Sequence, residues 1–403
     1  MAAACAARSA GSANVRTASL RKGGCVFSST VAMVGESSFS QTREFCAGDA
    51  ANLRAMHTRP SDLQRLLALS GTVVVEEIES TALAGNALGD PSRRPLPVYL
   101  PPGYDPEGSR RYPTLYCLHG FTGSAAALAA ARVWSLNPIQ WLDRLIAERR
   151  VPPAILVLID GLTRYGGSQY VNSALNGNYA DYVVRDVVGF VDRTFRTVAR
   201  PEGRGLFGKS SGGFGTLHLV MEHPGHFAAA ASQSGDAYFQ YCYLPDFVKV
   251  QRALERSGGL ANFVAAFDAE KKKSDGSVDV MNVIGMAAAY SPRRDAREPF
   301  DFEFPFDLRT GRLREEIWAR WLRFDPALVC GERIAELRAL RALYVDCGRR
   351  DQYALDLGAR ILVECLREHG VAVQHEEFDD DHMSVLYRHE QVYPALLERL
   401  ERE

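Results

Sequence analysis

The sequence predicts an open α/β fold with a mostly parallel central sheet, and three observations carry that prediction. Short runs of apolar or small residues recur at 112–118, 154–159, 228–232 and 342–345, as strands buried on both faces require. Between several of them lie stretches with apolar residues at helical spacing, 139–147 and 179–195 among them, which gives the strand–helix alternation that places helices on both faces of a parallel sheet. The third observation is Gly208, Lys209, Ser210, Ser211, Gly212, entered from apolar Leu206 and Phe207 and left into Thr216, Leu217, Leu219, Val220 and Met221. That stretch reads as strand, tight turn and helix, with glycines two residues either side of Ser210 so that strand and helix can pass without a Cβ clash.

Taken in order, 63–69 has a short helical pattern and 72–78 is β-branched enough for a first strand. A polar, turn-rich segment at 86–94 leads to a strand at 97–100, stopped by Pro101, Pro102 and Gly103, so a hairpin-like opening is expected. The nearly all-apolar strand 112–118 is expected to be central and runs straight into His119, Gly120, Phe121, Thr122 and Gly123. The strand at 154–159 is followed by polar residues 163–178, at the carboxyl end where open α/β sheets bind ligands. From 236 to about 340 the rhythm breaks into aromatic residues, helical fragments and loops, which reads as a cap-like insertion; Lys271, Lys272 and Lys273 within it read as a solvated loop. The pattern resumes with the strand at 342–345, a helix over 355–366 capped by Gly370, and a last strand at 371–378 before Asp379, Asp380, Asp381 and His382.

Composition narrows the function classes. A chain of 403 residues that is 46% hydrophobic can bury a large core, and a formal charge of −2 creates no field to gather nucleic acid or an anionic membrane surface. Neither is expected as a partner. No apolar run approaches the roughly 18 to 20 residues that span a bilayer. The eight cysteines show neither CxxC pairs nor zinc-site spacing and read as reduced thiols, so no metal and no cofactor is expected. Residues 1–58 read as an N-terminal extension without a fold of its own, disordered or derived from a start codon misplaced upstream of Met56. That reading makes the protein cytoplasmic. The alternative is an organellar transit peptide, since 1–35 carry Arg8, Arg16, Arg21 and Lys22 but no acidic residue.

A serine at such a turn sits at strained backbone angles with its hydroxyl pushed out of the surface, beside the positive end of the following helix. It becomes a nucleophile only when a neutral imidazole takes its proton, and the imidazole needs a carboxylate to fix its tautomer. His382, in the loop after the last strand, is the candidate base; His375 lies mid-strand, His369 at a helix end, and His218, His223 and His226 on or after the elbow helix. Asp346 and Asp351 both flank the turn after the strand at 342–345. Asp346 is tied to strand geometry, whereas Asp351 lies far enough into the loop to reach the histidine. Two amide donors are needed on the developing oxyanion, and Ser211, after the nucleophile, and Phe121, after the third strand, occupy those places. The aspartates before His382 could hold a metal, but no second oxygen-rich segment accompanies them.

Several blocks in order, VYLPPGY at 98–104, YPTLYCLHG at 112–120, GGSQY at 166–170, GKSSGG at 208–213, DCGRRD at 346–351 and EEFDDDH at 376–382, make the chain resemble the esterase-D-type esterase family of α/β-hydrolases, which includes S-formylglutathione hydrolases, enterochelin-esterase-like proteins, feruloyl esterases and mycolyltransferases. The resemblance covers roughly 72–397. It implies an α/β-hydrolase domain over 59–403, with Ser210 as nucleophile, Asp351 as acid, His382 as base, and Phe121 with Ser211 as oxyanion donors. The implied activity is hydrolysis of a small-molecule carboxylic ester without a cofactor. A thioesterase like S-formylglutathione hydrolase and an acyltransferase are the alternatives within the family, and a non-catalytic binding protein is disfavoured because all three reacting groups are present. A homo-oligomer is compatible with the sequence. Two departures stand out: Asp381 where a glycine often precedes the histidine, and an insertion much larger than in compact members.

Overall fold

The structure is a computed structural model and describes residues 68–402. The extension expected over 1–58, and most of the helical pattern at 63–69, lie outside the described residues. Among those residues the central sheet has eight strands: β1 (Thr72–Glu79), β2 (Arg93–Leu100), β3 (Thr114–Leu118), β4 (Ile155–Ile159), β5 (Arg204–Lys209), β6 (Ala229–Gln233), β7 (Ala342–Gly348) and β8 (Gln374–Phe378). Their spatial order is β1-β2-β4-β3-β5-β6-β7-β8. Strand β2 is antiparallel to both β1 and β4, and every other pairing is parallel.

Alternation along the strands assigns each face its own core. Tyr116, Leu118, Val157, Ile159 and Leu206 face one layer, built from α3 and α4 below and a helix later in the chain. Their neighbours Leu115, Cys117, Leu156, Leu158 and Phe207 face the other. Strands with both faces covered are nearly all apolar, which is why β4 reads as an unbroken apolar run and β3 as one with only Thr114 polar. Each such fully buried side chain contributes about 1.5–3 kcal/mol relative to exposure.

The helices follow in chain order: α1 (Ala125–Ala129), α2 (Pro138–Ala147), α3 (Val188–Thr194), α4 (Ser211–Glu222), α5 (Phe239–Cys242), α6 (Phe247–Arg256), α7 (Leu260–Ala269), α8 (Asp275–Tyr290), α9 (Glu315–Leu322), α10 (Pro326–Val329), α11 (Ile334–Arg338), α12 (Leu355–Glu368) and α13 (His389–Leu397). Helix α2 opens with an Asn137–Gln140 capping box and Pro138 in its first turn, which satisfies donors that would otherwise be orphaned. The helical stretch expected over 179–195 is present, but its middle, Tyr182–Val187, is wound as a π-helix. Among the described residues no helix is long and apolar enough to cross a membrane.

Helices α5 to α11 make up the segment between β6 and β7. Its core is aromatic: Tyr290 meets Phe214 of α4 edge-on with ring centres 5.7 Å apart, Trp321 packs on Tyr290 at 5.5 Å, and Phe247 on Trp321 at 5.6 Å. Such pairs are worth about 0.5–1.5 kcal/mol beyond their buried area. The buried Asp325 carboxylate ties the insertion's start to its end by accepting from the Tyr238 and Phe239 amides at 2.8 and 2.6 Å. One sequence expectation fails here. Cys117, Cys242 and Cys347 are free and buried, but Cys330 and Cys365 are joined in a disulfide. The partners are 35 residues apart, and packing of the α10 end against α12, rather than any spacing rule, brings them together.

Candidate active site

Ser210 lies between β5 and α4 at φ 58° and ψ −125°, a conformation that disfavours any residue with a Cβ. Close packing around the turn holds it there. A Cβ on Gly212 would lie 2.2 Å from the Leu118 carbonyl oxygen, and one on Gly208 would lie 2.5 Å from the Gly212 backbone. No side chain fits at either position, so the two glycines are the condition for α4 to start directly against β3. The strain is not confined to Ser210. The loops after β3 to β8 each carry a non-glycine residue in left-handed conformation: Thr122, Gln169 and Tyr170, Ser210, Ser234, Ala354 and Ser384. Strained backbone concentrates at functional edges, where the surrounding packing over-determines it.

Phe121 is held by a scaffold that sequence reasoning did not see. His119 is buried; its Nδ1 lies 2.8 Å from the Gly120 carbonyl, and its Nε2 accepts from the Gly161 amide at 2.8 Å. Both contacts are satisfied by the neutral Nδ1–H tautomer, and burial lowers the His119 pKa in the same direction. The Tyr170 hydroxyl donates to the His119 carbonyl at 2.9 Å. The loops after β3 and β4 are thereby locked together. Gly120 sits so close to Ser210 that an added Cβ would lie 3.2 Å from the Ser210 Cβ. Among the described residues, neither the Phe121 nor the Ser211 backbone N–H has a hydrogen-bond acceptor.

His382 Nδ1 lies 2.7 Å from Asp351 Oδ2. With its Nδ1 proton on that carboxylate, the ring keeps a lone pair on Nε2. Asp351 Oδ1 accepts from the Tyr353 amide at 2.9 Å, and the His382 amide donates to Gln352 Oε1 at 3.1 Å. Burial would raise the Asp351 pKa, but the hydrogen bond and charge of His382, with the Tyr353 amide, take it below the usual carboxylate value. The loops carrying the two residues are zipped by backbone bonds from Arg349 to Phe378 and from Arg350 to Asp380, at 2.9 and 3.0 Å. Asp381, where a glycine often stands, accepts from the Met383 amide at 2.7 Å and shapes the turn.

Asp346 is not in this cluster. It is 1% exposed, and its Oδ2 accepts from Arg388 Nε at 3.0 Å and from the Tyr344 hydroxyl at 3.2 Å. Of the rival histidines, His375 lies on edge strand β8, His369 caps α12, and His218 lies on α4; none lines the cavity that His382 lines.

That cavity, about 300 Å³, is lined by Gly120, Phe121, Ser210, Ser211 and His382 among others. Asp351 lies behind the imidazole. The segment between β6 and β7 adds Asp236, Tyr243 and, from α8, Asp275, Asp279 and Asn282 to the lining. Asp236 is buried and accepts from the Tyr243 hydroxyl at 2.7 Å and from Gln169 Nε2 at 3.2 Å. Sequence reasoning recognised the insertion but none of these lining residues. The helical spacing of Asp275, Asp279 and Asn282 was the available signal, and without knowing which face of α8 looks inward it points nowhere.

Residues 87–392 match the family model Esterase, described as "Putative esterase". Esterase Rv1288 of Mycobacterium tuberculosis strain H37Rv is 33% identical over 141 residues, 35% of this chain and 28% of that protein. An endo-1,4-beta-xylanase/feruloyl esterase of Xylanibacter ruminicola is 26% identical over 204 residues, 47% of this chain and 25% of that protein. The chain thus matches only about a quarter of the length of these relatives. A solved ferulic acid esterase shares the fold, with a TM-score of 0.51 at 18% identity over 83% of this chain and 100% of that one. With the family model matching most of its length, the chain belongs to the Esterase family.

Proposed function

We propose that residues 59–403 form one α/β-hydrolase domain, with 236–340 as its cap, that cleaves carboxylic esters of small molecules through an acyl-enzyme. Ser210 Oγ attacks the carbonyl carbon as its proton passes to His382 Nε2. Asp351 orients the imidazole and stabilises its charged form. The Phe121 and Ser211 amides donate to the oxyanion, each worth about 2.7–4 kcal/mol in a preorganised site. Collapse breaks the bond to the alcohol oxygen, which leaves with the proton from His382. Water, deprotonated by His382, then attacks the acyl carbon, releases the acid and restores the hydroxyl.

The observation that carries this reading is the 2.7 Å contact between His382 and Asp351 with Ser210 on the same cavity. Ser210→Ala tests it. Turnover of 4-nitrophenyl acetate is expected to fall by about 10⁴ to 10⁶, and a fluorophosphonate is expected to label the wild type and not the variant. A folded variant with near-normal turnover would refute the mechanism.

A further inference from the structure

Lys209, the residue before the nucleophile, has no part in the chemistry above. It ends β5 and lines the same cavity as Ser210, Phe121 and His382. It is the cavity's one lysine or arginine among the described residues. A surface lysine keeps its stem on the protein and its ammonium in bulk water. Lys209 is instead partly buried, and among the described residues its Nζ has neither a hydrogen-bond acceptor nor a carboxylate at ion-pair distance. The carboxylates acting on it most strongly are engaged elsewhere, Asp351 with His382 and Asp236 with Tyr243 and Gln169. Desolvation lowers its pKa below that of a free lysine, with those acids pulling the other way. The outcome is a partly buried cation on the same cavity as the Ser210 hydroxyl, with no carboxylate of the described residues at ion-pair distance.

We infer that Lys209 is a specificity-determining residue that binds a carboxylate carried by the substrate close to the scissile bond, so that the favoured substrate is an anionic ester rather than a neutral lipophilic one. This rests on the hydrolase reading above. The cavity fits such a substrate: about 300 Å³ with several polar side chains in its wall is room for a short, charged molecule. Asp236, Asp275 and Asp279 line the same cavity and repel an anion, so among the described residues Lys209 is the one cationic side chain there that can hold a substrate carboxylate.

The test is kcat/KM on two matched pairs. 4-Nitrophenyl hydrogen adipate against 4-nitrophenyl hexanoate places the carboxylate in the acyl part; 4-acetoxybenzoate against its methyl ester places it in the alcohol part. In at least one pair the wild type is expected to favour the anionic member about tenfold or more. That preference is expected to fall about 10- to 100-fold in Lys209→Met, as loss of a charge-assisted hydrogen bond predicts, and to be largely kept in Lys209→Arg. A wild-type ratio at or below one in both pairs overturns the inference, as does an equal loss on both members of a pair in Lys209→Met. If Lys209→Met fails to fold by circular dichroism, Lys209→Gln replaces it, and the wild-type ratios still decide. Turnover with ratios blind to charge overturns this inference alone. Absence of any ester turnover and of fluorophosphonate labelling overturns the hydrolase reading and this inference with it.

Discussion

Asp346 and Asp351 leave the same strand end, are both buried, and each holds the loop after β8, yet at opposite ends and for different purposes. Asp351 meets an imidazole whose second nitrogen is left to face the cavity, so its charge acts on a group that can gain and lose a proton. Asp346 meets Arg388, whose guanidinium also reaches the Tyr344 hydroxyl at 2.8 Å and Glu376 at 2.6 Å. That cation cannot be deprotonated, and its donors are spent on fixing where α13 begins. Electrostatics separate the two carboxyls as well. Asp351 stays below the usual value, while burial pushes Asp346 up to about 6 against the pull of Arg388. Burial of a carboxylate beside the His382 loop is therefore no sign of a part in the proposed chemistry. The partner decides.

The comparison is broken most directly by Asp351→Asn. It leaves the imidazole in the wrong tautomer and removes the charge that stabilises imidazolium, so kcat is expected to fall about 10⁴-fold with the circular dichroism spectrum unchanged. A folded, active Asp351→Asn beside a folded, dead Asp346→Asn would reverse the two assignments. Next in size is Arg388→Met, which strands a buried carboxylate. Breaking such a pair typically costs about 3–5 kcal/mol, to be read as a large fall in the urea midpoint, while residual kcat in the folded fraction stays within roughly tenfold.

The smallest effect is expected from Asp346→Asn, because asparagine mimics the neutral form toward which burial already drives this carboxyl. Its kcat should stay within about tenfold of wild type and its stability at pH 7 within about 1 kcal/mol. The sign of the pH dependence sharpens this. A carboxyl whose pKa is raised contributes stability that is full below its unfolded pKa of about 3.9 and lost as pH rises through its folded value. Wild-type stability from this group therefore declines from pH 4 through about 6, and the Asn variant lacks that decline. Parallel melting profiles from pH 4 to 7 would contradict it.

How much could be read in advance depended on how local the cause was. The elbow was legible because Gly208 and Gly212 are required by contacts within a few residues of Ser210. Strands β3 and β4 were legible because burial on both faces leaves almost no polar position. Edge strands were less so. β2 begins at Arg93, four residues before its apolar part, because its first half is held by pairing with β1 while Arg93 itself faces solvent. β8 begins at Gln374 rather than 371 and is only half-buried, so its pattern was too weak to fix an end. The π-helical segment and the Cys330–Cys365 disulfide left no signal in periodicity or spacing.

By itself the sequence determined the order of strands and helices, the turn at Ser210 and the loops bearing Phe121 and His382, because each follows from burial, backbone geometry or chain continuity over a short stretch. Tertiary structure alone decided that Asp346 pairs with Arg388, that neutral His119 and Tyr170 lock the loop bearing Phe121, and that α8 lines the same cavity as Lys209. These contacts join residues far apart in the chain, and a side chain's own neighbours in sequence do not record which distant group it will be folded against.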